Sequence, residues 1–337
     1  MIRSLTMIAV FLPFALIGQT QTGQTQTGAK KSNVPRTPDG HPDLSGIWTN
    51  ITVTTLERPD DVGNKQYFTP AEAAAYEKHR VEAQDADRPE NRKPSDPGNY
   101  NQAFWDRGTR VVNSLRTSLL IDPPDGKMPP MTPEAKAKVE ALAAKNKVNP
   151  SDGPEDRRLS ERCIWFAGDG PPYFPEPYNN NYQIAQTPGY VTILAEMNHE
   201  VRTIPIDPPG AVRPHLPPSV LQWQGDSRGH WEGDTLVVDS TNFKPTVQSR
   251  YGVTYMAGFN SEKLHVIERF TRDSPTSIDY RATVDDPGVY TKPWTVELFL
   301  NQTKGPLYEF ACHEGNYSML GILQGAREEE KKAAAGH

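Results

Sequence analysis

The stretch at residues 222–243, QWQGDSRGHWEGDTLVVDSTNF, decides how the chain is read. Residues 235–238 are strand-like, and residues 227–231 run up to a turn at Glu232-Gly233-Asp234. Gly and Asp are what a tight hairpin turn uses. Asp226, Arg228, His230, Glu232 and Asp234 crowd into this short span, with Trp223 and Trp231 among them. A turn alone needs no such density of ionisable groups, so the hairpin is also a candidate site.

Working outward, the same ribbon pattern recurs. Residues 190–196 pair with 201–206, and 227–231 with 235–242. Residues 263–272 pair with 277–285, and 294–301 with 307–313. Short runs at hairpin spacing predict a mainly β fold over residues 161–325. The expected architecture is an antiparallel up-and-down barrel, lipocalin-like, or a sandwich. Residues 35–160 are expected to form an irregular, Pro-rich N-terminal arm with two short helices. One opens at Thr69-Pro70-Ala71-Glu72, a capping box with Pro at the first helical position, and ends near Arg80. The other runs from Thr132-Pro133 to about Asn146. Short strands are expected at 47–53 and 118–121, and the charged, Ala-rich tail at 327–337 should fray.

Among 337 residues there are 32 prolines, nearly twice the average share of about 5%. Much of the chain must therefore be irregular or lie along sheet edges. The net charge is −6 with mixed signs and no basic stripe. That excludes nucleic-acid binding through phosphate neutralisation. Met1-Ile2-Arg3 followed by the mostly apolar run 5–18 has the pattern of a secretory signal. It is shorter than the roughly 20 residues of a transmembrane span. Residues 19–34 hold a repeated QTQTG that buries little, a disordered linker. The expected location is secreted or periplasmic, with no transmembrane segment. Such a compartment permits Cys163 and Cys312, the two cysteines of the chain, to pair. The chain-entropy model gives so long a loop about 5 kcal/mol as an upper figure. The rival, a nucleophilic Cys312 beside His313, is disfavoured because an exposed exported thiol oxidises.

Alternation assigns faces. Leu264, Val266, Glu268 and Phe270 share one, so Glu268 sits among apolar neighbours. Desolvation raises the pKa of an unpaired carboxylate there, which makes Glu268 a general acid–base candidate. The competing reading, an inward salt bridge to Arg202, is preferred. Arg228, His230 and Glu232 share a second face, bracketed by Asp226 and Asp234, and His230 with Glu232 could shuttle protons. Tyr280 and Trp294 are expected to line a ligand site with Arg228 and Asp226. Trp231 is a further candidate for that site, although alternation puts it on the opposite face from His230 unless a bulge intervenes. His199-Glu200 and His313-Glu314 could together hold zinc, but neither pair has a recognised ligand spacing. No metal and no cofactor is therefore assigned.

Four segments carry a resemblance: DLSGIW at 43–48, GDSRGHWEGDTLVVDSTNF at 225–243, ERFT at 268–271 and ACHEGN at 311–316. Together they resemble an uncharacterised family of exported bacterial proteins. The resemblance covers most of the chain after residue 35. It implies export and a mainly β fold, and carries no activity with it. The leading functional expectation is an exported barrel holding a small, partly apolar molecule. The alternatives are a hydrolase or lyase using Glu268 and His230, and an envelope-associated interaction protein. The residues leave open whether it is an enzyme and what its oligomeric state is.

Overall fold

Period-two alternation buries one side of a ribbon, and ribbons with one greasy side close on each other. The computed structural model describes residues 34–91, 101–148, 151–245 and 260–336. The expected signal segment, and all of the expected linker but residue 34, lie outside the described residues. In chain order the strands and helices are β1 (Gly46–Thr49), α1 (Pro70–Gln84), β2 (Leu120–Asp122) and α2 (Pro133–Val148). They continue with β3 (Asn181–Thr187), β4 (Tyr190–Ala195), β5 (Val201–Pro205), β6 (Asp226–Glu232) and β7 (Thr235–Thr241). The chain ends with β8 (His265–Ser274), β9 (Ser277–Asp285), β10 (Trp294–Gln302) and α3 (Ser318–Ala334).

The strand order is β5-β4-β3-β1-β10-β9-β8-β7-β6, with β2 pairing β10 off this path. The result is a nearly closed antiparallel barrel of nine strands. Nine is odd, so strict up-and-down alternation leaves the two ends of the path running in the same direction. That is what happens at the β5–β6 seam, where Ile206 and Gly229 form a parallel bridge. Gly229 is needed there: a Cβ would lie 2.6 Å from Ile206 Cδ1.

The mainly β barrel expectation holds, and the sandwich alternative does not. Plain up-and-down progression holds within β3–β5 and within β6–β10. Between them sits β1, from the segment expected to be an N-terminal arm, with Trp48 opposite Tyr182 on one side and Gln302 on the other. The arm is thus part of the barrel wall. Strand β3 was not among the expected hairpins, and it pairs with β4 from Tyr182↔Ala195 to Thr187↔Tyr190.

Several local expectations are met by the same chemistry that motivated them. Thr69 Oγ1 accepts from Glu72 N–H, and the Glu72 carboxylate accepts from Thr69 N–H at 2.8 Å. The β6–β7 turn is Gly233-Asp234, and Gly233 takes a φ of 61° that a side chain would oppose. Cys163 and Cys312 are bonded across 149 positions.

Two expectations fail at the C-terminus. Residues 307–313 form no strand. The chain leaves β10 past Gly305-Pro306, Tyr308 N–H donates to Glu196 Oε1, and Phe310 packs edge-on against Phe166. Tied down by Cys312, the segment lies across the β4–β5 connection instead of extending the sheet. The tail does not fray at Arg327. It is the second half of α3, laced by Arg327–Glu330, Lys331–Glu328 and Lys332–Glu329 pairs. The two helices expected in the arm are α1 and α2, and among the described residues α3 joins them at the C-terminus. No helix among the described residues is long and apolar enough to cross a membrane.

Candidate functional site

The barrel interior is filled. Trp48, Val238, Val266, Tyr280, Trp294 and Leu298 are fully buried in one contiguous cluster. The loop before β3 adds Tyr173 and Phe174 to it. Tyr173 lies 5.1 Å from the Tyr182 ring, and its N–H donates to Tyr280 Oη at 3.3 Å. Tyr280 and Trp294, expected to line a ligand site, are core residues with no exposed surface.

Glu268 belongs to this interior. It is 0% exposed and faces Arg202, 3% exposed, across the barrel. Arg202 Nη1 donates to Glu268 Oε1 at 3.0 Å while Nη2 reaches Oε2. Tyr280 Oη–H donates to Oε1 at 3.0 Å. Arg202 Nε also donates to Ser227 Oγ at 3.0 Å, and Nη2 to Ser240 Oγ at 2.9 Å. Burial alone would lower the Arg202 pKa, but the charge and hydrogen bonds of Glu268 hold it above its ordinary value. Burial pushes the Tyr173 phenol up to about 12. The inward salt bridge is thus the reading that holds.

The Glu268–His230 acid–base pair does not form. The register Gly229↔Val238↔Glu268 puts Glu268 on the inner row, and His230, one residue from Gly229, points outward. His230 donates from Nε2 to Glu232 Oε1 at 3.2 Å, and Arg269 holds the other Glu232 oxygen. The hydrogen bond from Arg269, then that from His230, keeps the Glu232 pKa below its ordinary value. Glu232 is an exposed strand-end ion pair. The expected zinc candidates, His199, Glu200, His313 and Glu314, do not gather into a ligand set among the described residues. His199 Nδ1 donates to the Phe310 carbonyl at 3.1 Å, and His313 and Glu314 are exposed. Among the described residues no group of three or more His, Cys, Asp or Glu is placed to hold a metal ion.

What the structure does gather lies on the outside of β6, β7 and β8. The loop after β5 carries Pro208, Pro209, Pro214, Pro217 and Pro218. Prolines cannot continue a sheet ladder, so the chain peels away from the seam. Asp207 N–H anchors the departure on Gly229 O at 2.7 Å, and Arg213 N–H donates back to Asp207 Oδ2 at 3.0 Å. The loop returns at His215 and Leu216, where Leu216 N–H donates to Asp226 Oδ2 at 2.9 Å. Between loop and barrel wall lies a cleft of about 1170 Å³. Ile206, Val212, Pro208, Pro209, Pro214 and Trp231 supply its apolar lining, with Arg228, His230, Asp239 and His265 among its polar groups. Trp231 and His230 both reach it without a bulge, because β6 is the edge strand at the seam. His41 stacks on the Trp231 ring at 4.5 Å and 8°.

A hydrogen-bonded chain of four side chains runs along this wall. His215 Nδ1 donates to Asp226 Oδ2 at 2.9 Å, and His215 Nε2 to Asp239 Oδ1 at 3.1 Å. His265 Nε2 donates to the same Asp239 oxygen at 3.0 Å. Asp226 is buried and also accepts from Arg228 Nη1 at 2.8 Å. Burial alone would raise the Asp239 pKa, but the hydrogen bond and charge of His265, then those of His215, hold it below its ordinary value. The same bond from Asp239 raises His265 against its partial burial.

Of the expected ligand-binding pair, Arg228 lines the cleft, and Asp226 lies behind it, accepting from His215 and Arg228. His215, Asp239 and His265 were missed. Alternation already places Asp239 and His265 on the outward rows beside Arg228 and His230. The loop that brings His215 over them has no periodicity to read. No protein-family model matches the chain, and no curated protein or solved structure is detectably similar to it.

Proposed function

We propose that the protein is exported and binds a small, partly apolar molecule in the outer cleft beside the β5–β6 seam, not inside the barrel. The cleft carries this reading. Its volume of about 1170 Å³ suits a small molecule. Its apolar walls offer area to be covered, and its few fixed polar groups offer orientation. The secretory pattern at residues 1–18, the family resemblance and the Cys163–Cys312 bridge all support export.

Native mass spectrometry of protein taken from its own host tests whether a ligand travels with it. A bound small molecule that is lost from a Val212→Trp variant, which fills the cleft mouth, is the expected result. A ligand retained by that variant places the site elsewhere, and its absence from the wild type together with failure to bind 8-anilinonaphthalene-1-sulfonate removes the proposal.

A further inference from the structure

The two imidazoles of the cleft wall are not equivalent. Both ring nitrogens of His215 are taken by carboxylates, Asp226 and Asp239. His215 is a clamp: it fastens the proline loop to β6 and β7. His265 is held by one nitrogen only. Its Nε2 donates to Asp239, and Nδ1 has no hydrogen-bond partner among the described residues. A carboxylate on one nitrogen fixes the tautomer and leaves the other as a lone-pair base. This is the base-plus-orienter arrangement of general acid–base sites. It stands at a cleft that water reaches, since the His265 and Asp239 side chains are 35% and 38% exposed.

We propose that His265 is a general base that activates water against a small, partly apolar carboxylic ester bound in the cleft, with Asp239 as its positioning residue. This rests on the ligand-binding reading above.

The openness selects the reaction. Abstraction of a proton from carbon gains from excluding water, whereas hydrolysis consumes it. The charge selects a neutral ester over a phosphate ester: Arg228 is already paired with Asp226, and Arg213 with Asp207. Among the described residues Thr241 is the one hydroxyl residue lining the cleft, and no hydrogen bond joins it to His265, so water is the nucleophile. In the step, His265 Nδ1 takes a proton from water as the water oxygen bonds to the carbonyl carbon. The carbonyl electron pair moves onto its oxygen. When that pair returns, the bond to the alcohol oxygen breaks and the departing alkoxide takes the proton from Nδ1. Ester and water become acid and alcohol, and His265 and Asp239 end as they began.

The groups that face His265 are Asp239 from β7, His215 from the loop and Asp285, its partner on β9. The base works deprotonated, so the rate rises with pH through the His265 pKa. Asp239 raises that pKa, which puts the inflection above the ordinary histidine value of about 6.5. Asp239→Asn should move the inflection to lower pH as well as slow turnover, a displacement that a merely structural Asp239 would not produce.

The test uses the full disulfide-bonded chain, 4-nitrophenyl butyrate as ester, and N-(4-nitrophenyl)butanamide as an analogue that is not turned over. Expected results are amide binding that perturbs Trp231 fluorescence, ester hydrolysis well above that of equimolar free imidazole, and a loss of about 100-fold in kcat in His265→Gln with amide binding kept. Amide binding with ester hydrolysis no faster than free imidazole, or with wild-type turnover in His265→Gln, overturns the catalytic proposal and leaves the binding reading in place. Failure to bind the amide and to cleave the ester overturns both. Should His265→Gln fail to fold, the pH profile of Asp239→Asn decides: an unmoved inflection overturns the proposal.

Discussion

Two carboxylate clusters sit on opposite sides of the same three strands, and they differ in what surrounds them. Inside, Glu268 is locked by Arg202 and Tyr280, with no exposed surface, and Arg202 is held in turn by Ser227 and Ser240. Outside, Asp239 shares one oxygen between two imidazoles in a half-exposed wall. Strand alternation separates them by one residue's change of face. The inner cluster has every donor and acceptor engaged and no path for a proton or a ligand. The outer cluster has an imidazole nitrogen without a partner among the described residues, and it lines a cleft. The difference teaches that a buried carboxylate among apolar residues marks chemistry only when its partner is missing; here Arg202 is the partner.

The largest effect expected from breaking this contrast is at Glu268. Removing it in Glu268→Ala leaves Arg202 charged and unpaired in the core. That should cost about 3–5 kcal/mol, measured by urea denaturation. Replacing both partners, Arg202→Met with Glu268→Leu, should recover most of the loss. A double variant as unstable as the single one would mean that the pair supplies net stability. Next in size is Cys312→Ser. The bridge closes a loop of 149 positions and ties residues 303–317 to the barrel end. Its loss should cost about 2–4 kcal/mol under oxidising conditions. Unchanged stability would show that the segment is held by Phe310 and α3 alone.

The fold was legible where one face of a ribbon is apolar. Leu264, Val266 and Phe270 are buried as their alternation required, and the β6–β7 and β8–β9 hairpins stand where turn residues placed them. It was illegible where covalent or long-range forces override pattern. Residues 307–313 alternate well enough for a strand, but Pro306 and the bond from Cys312 carry them off the sheet. Strand β3 hides because its sequence, NYQIAQT, has polar residues on one side and only Tyr182 and Ile184 buried on the other. In the proposed site, the hairpin at 222–243 carries Asp226, Arg228 and His230 on its outer side. His215 could not be found: it lies in a proline-rich loop, and only the folded seam brings it between Asp226 and Asp239.

A third effect concerns pH. Burial pushes the Asp169 carboxyl up to about 8, against the hydrogen bond from Phe166 N–H, from an ordinary value of 3.8. The folded chain therefore keeps a proton there that the unfolded chain loses. Stability from this group is present below about pH 4 and is lost as pH rises toward about 8. Asp169→Asn should flatten that decline in urea midpoints taken at about pH 5 and about pH 9. An unchanged slope would mean that Asp169 is charged in the folded protein. Smallest of all, Asp239→Asn should change stability by about 1 kcal/mol or less, because its partners are half in water.

The most direct test of the contrast is carbodiimide labelling of carboxylates in the native protein, read by peptide mass spectrometry. Asp239 should be modified at a rate typical of a half-exposed side chain, and Glu268 should stay unlabelled until the protein unfolds. Labelling of Glu268 at a rate comparable with Asp239 would mean an open interior and would contradict the account.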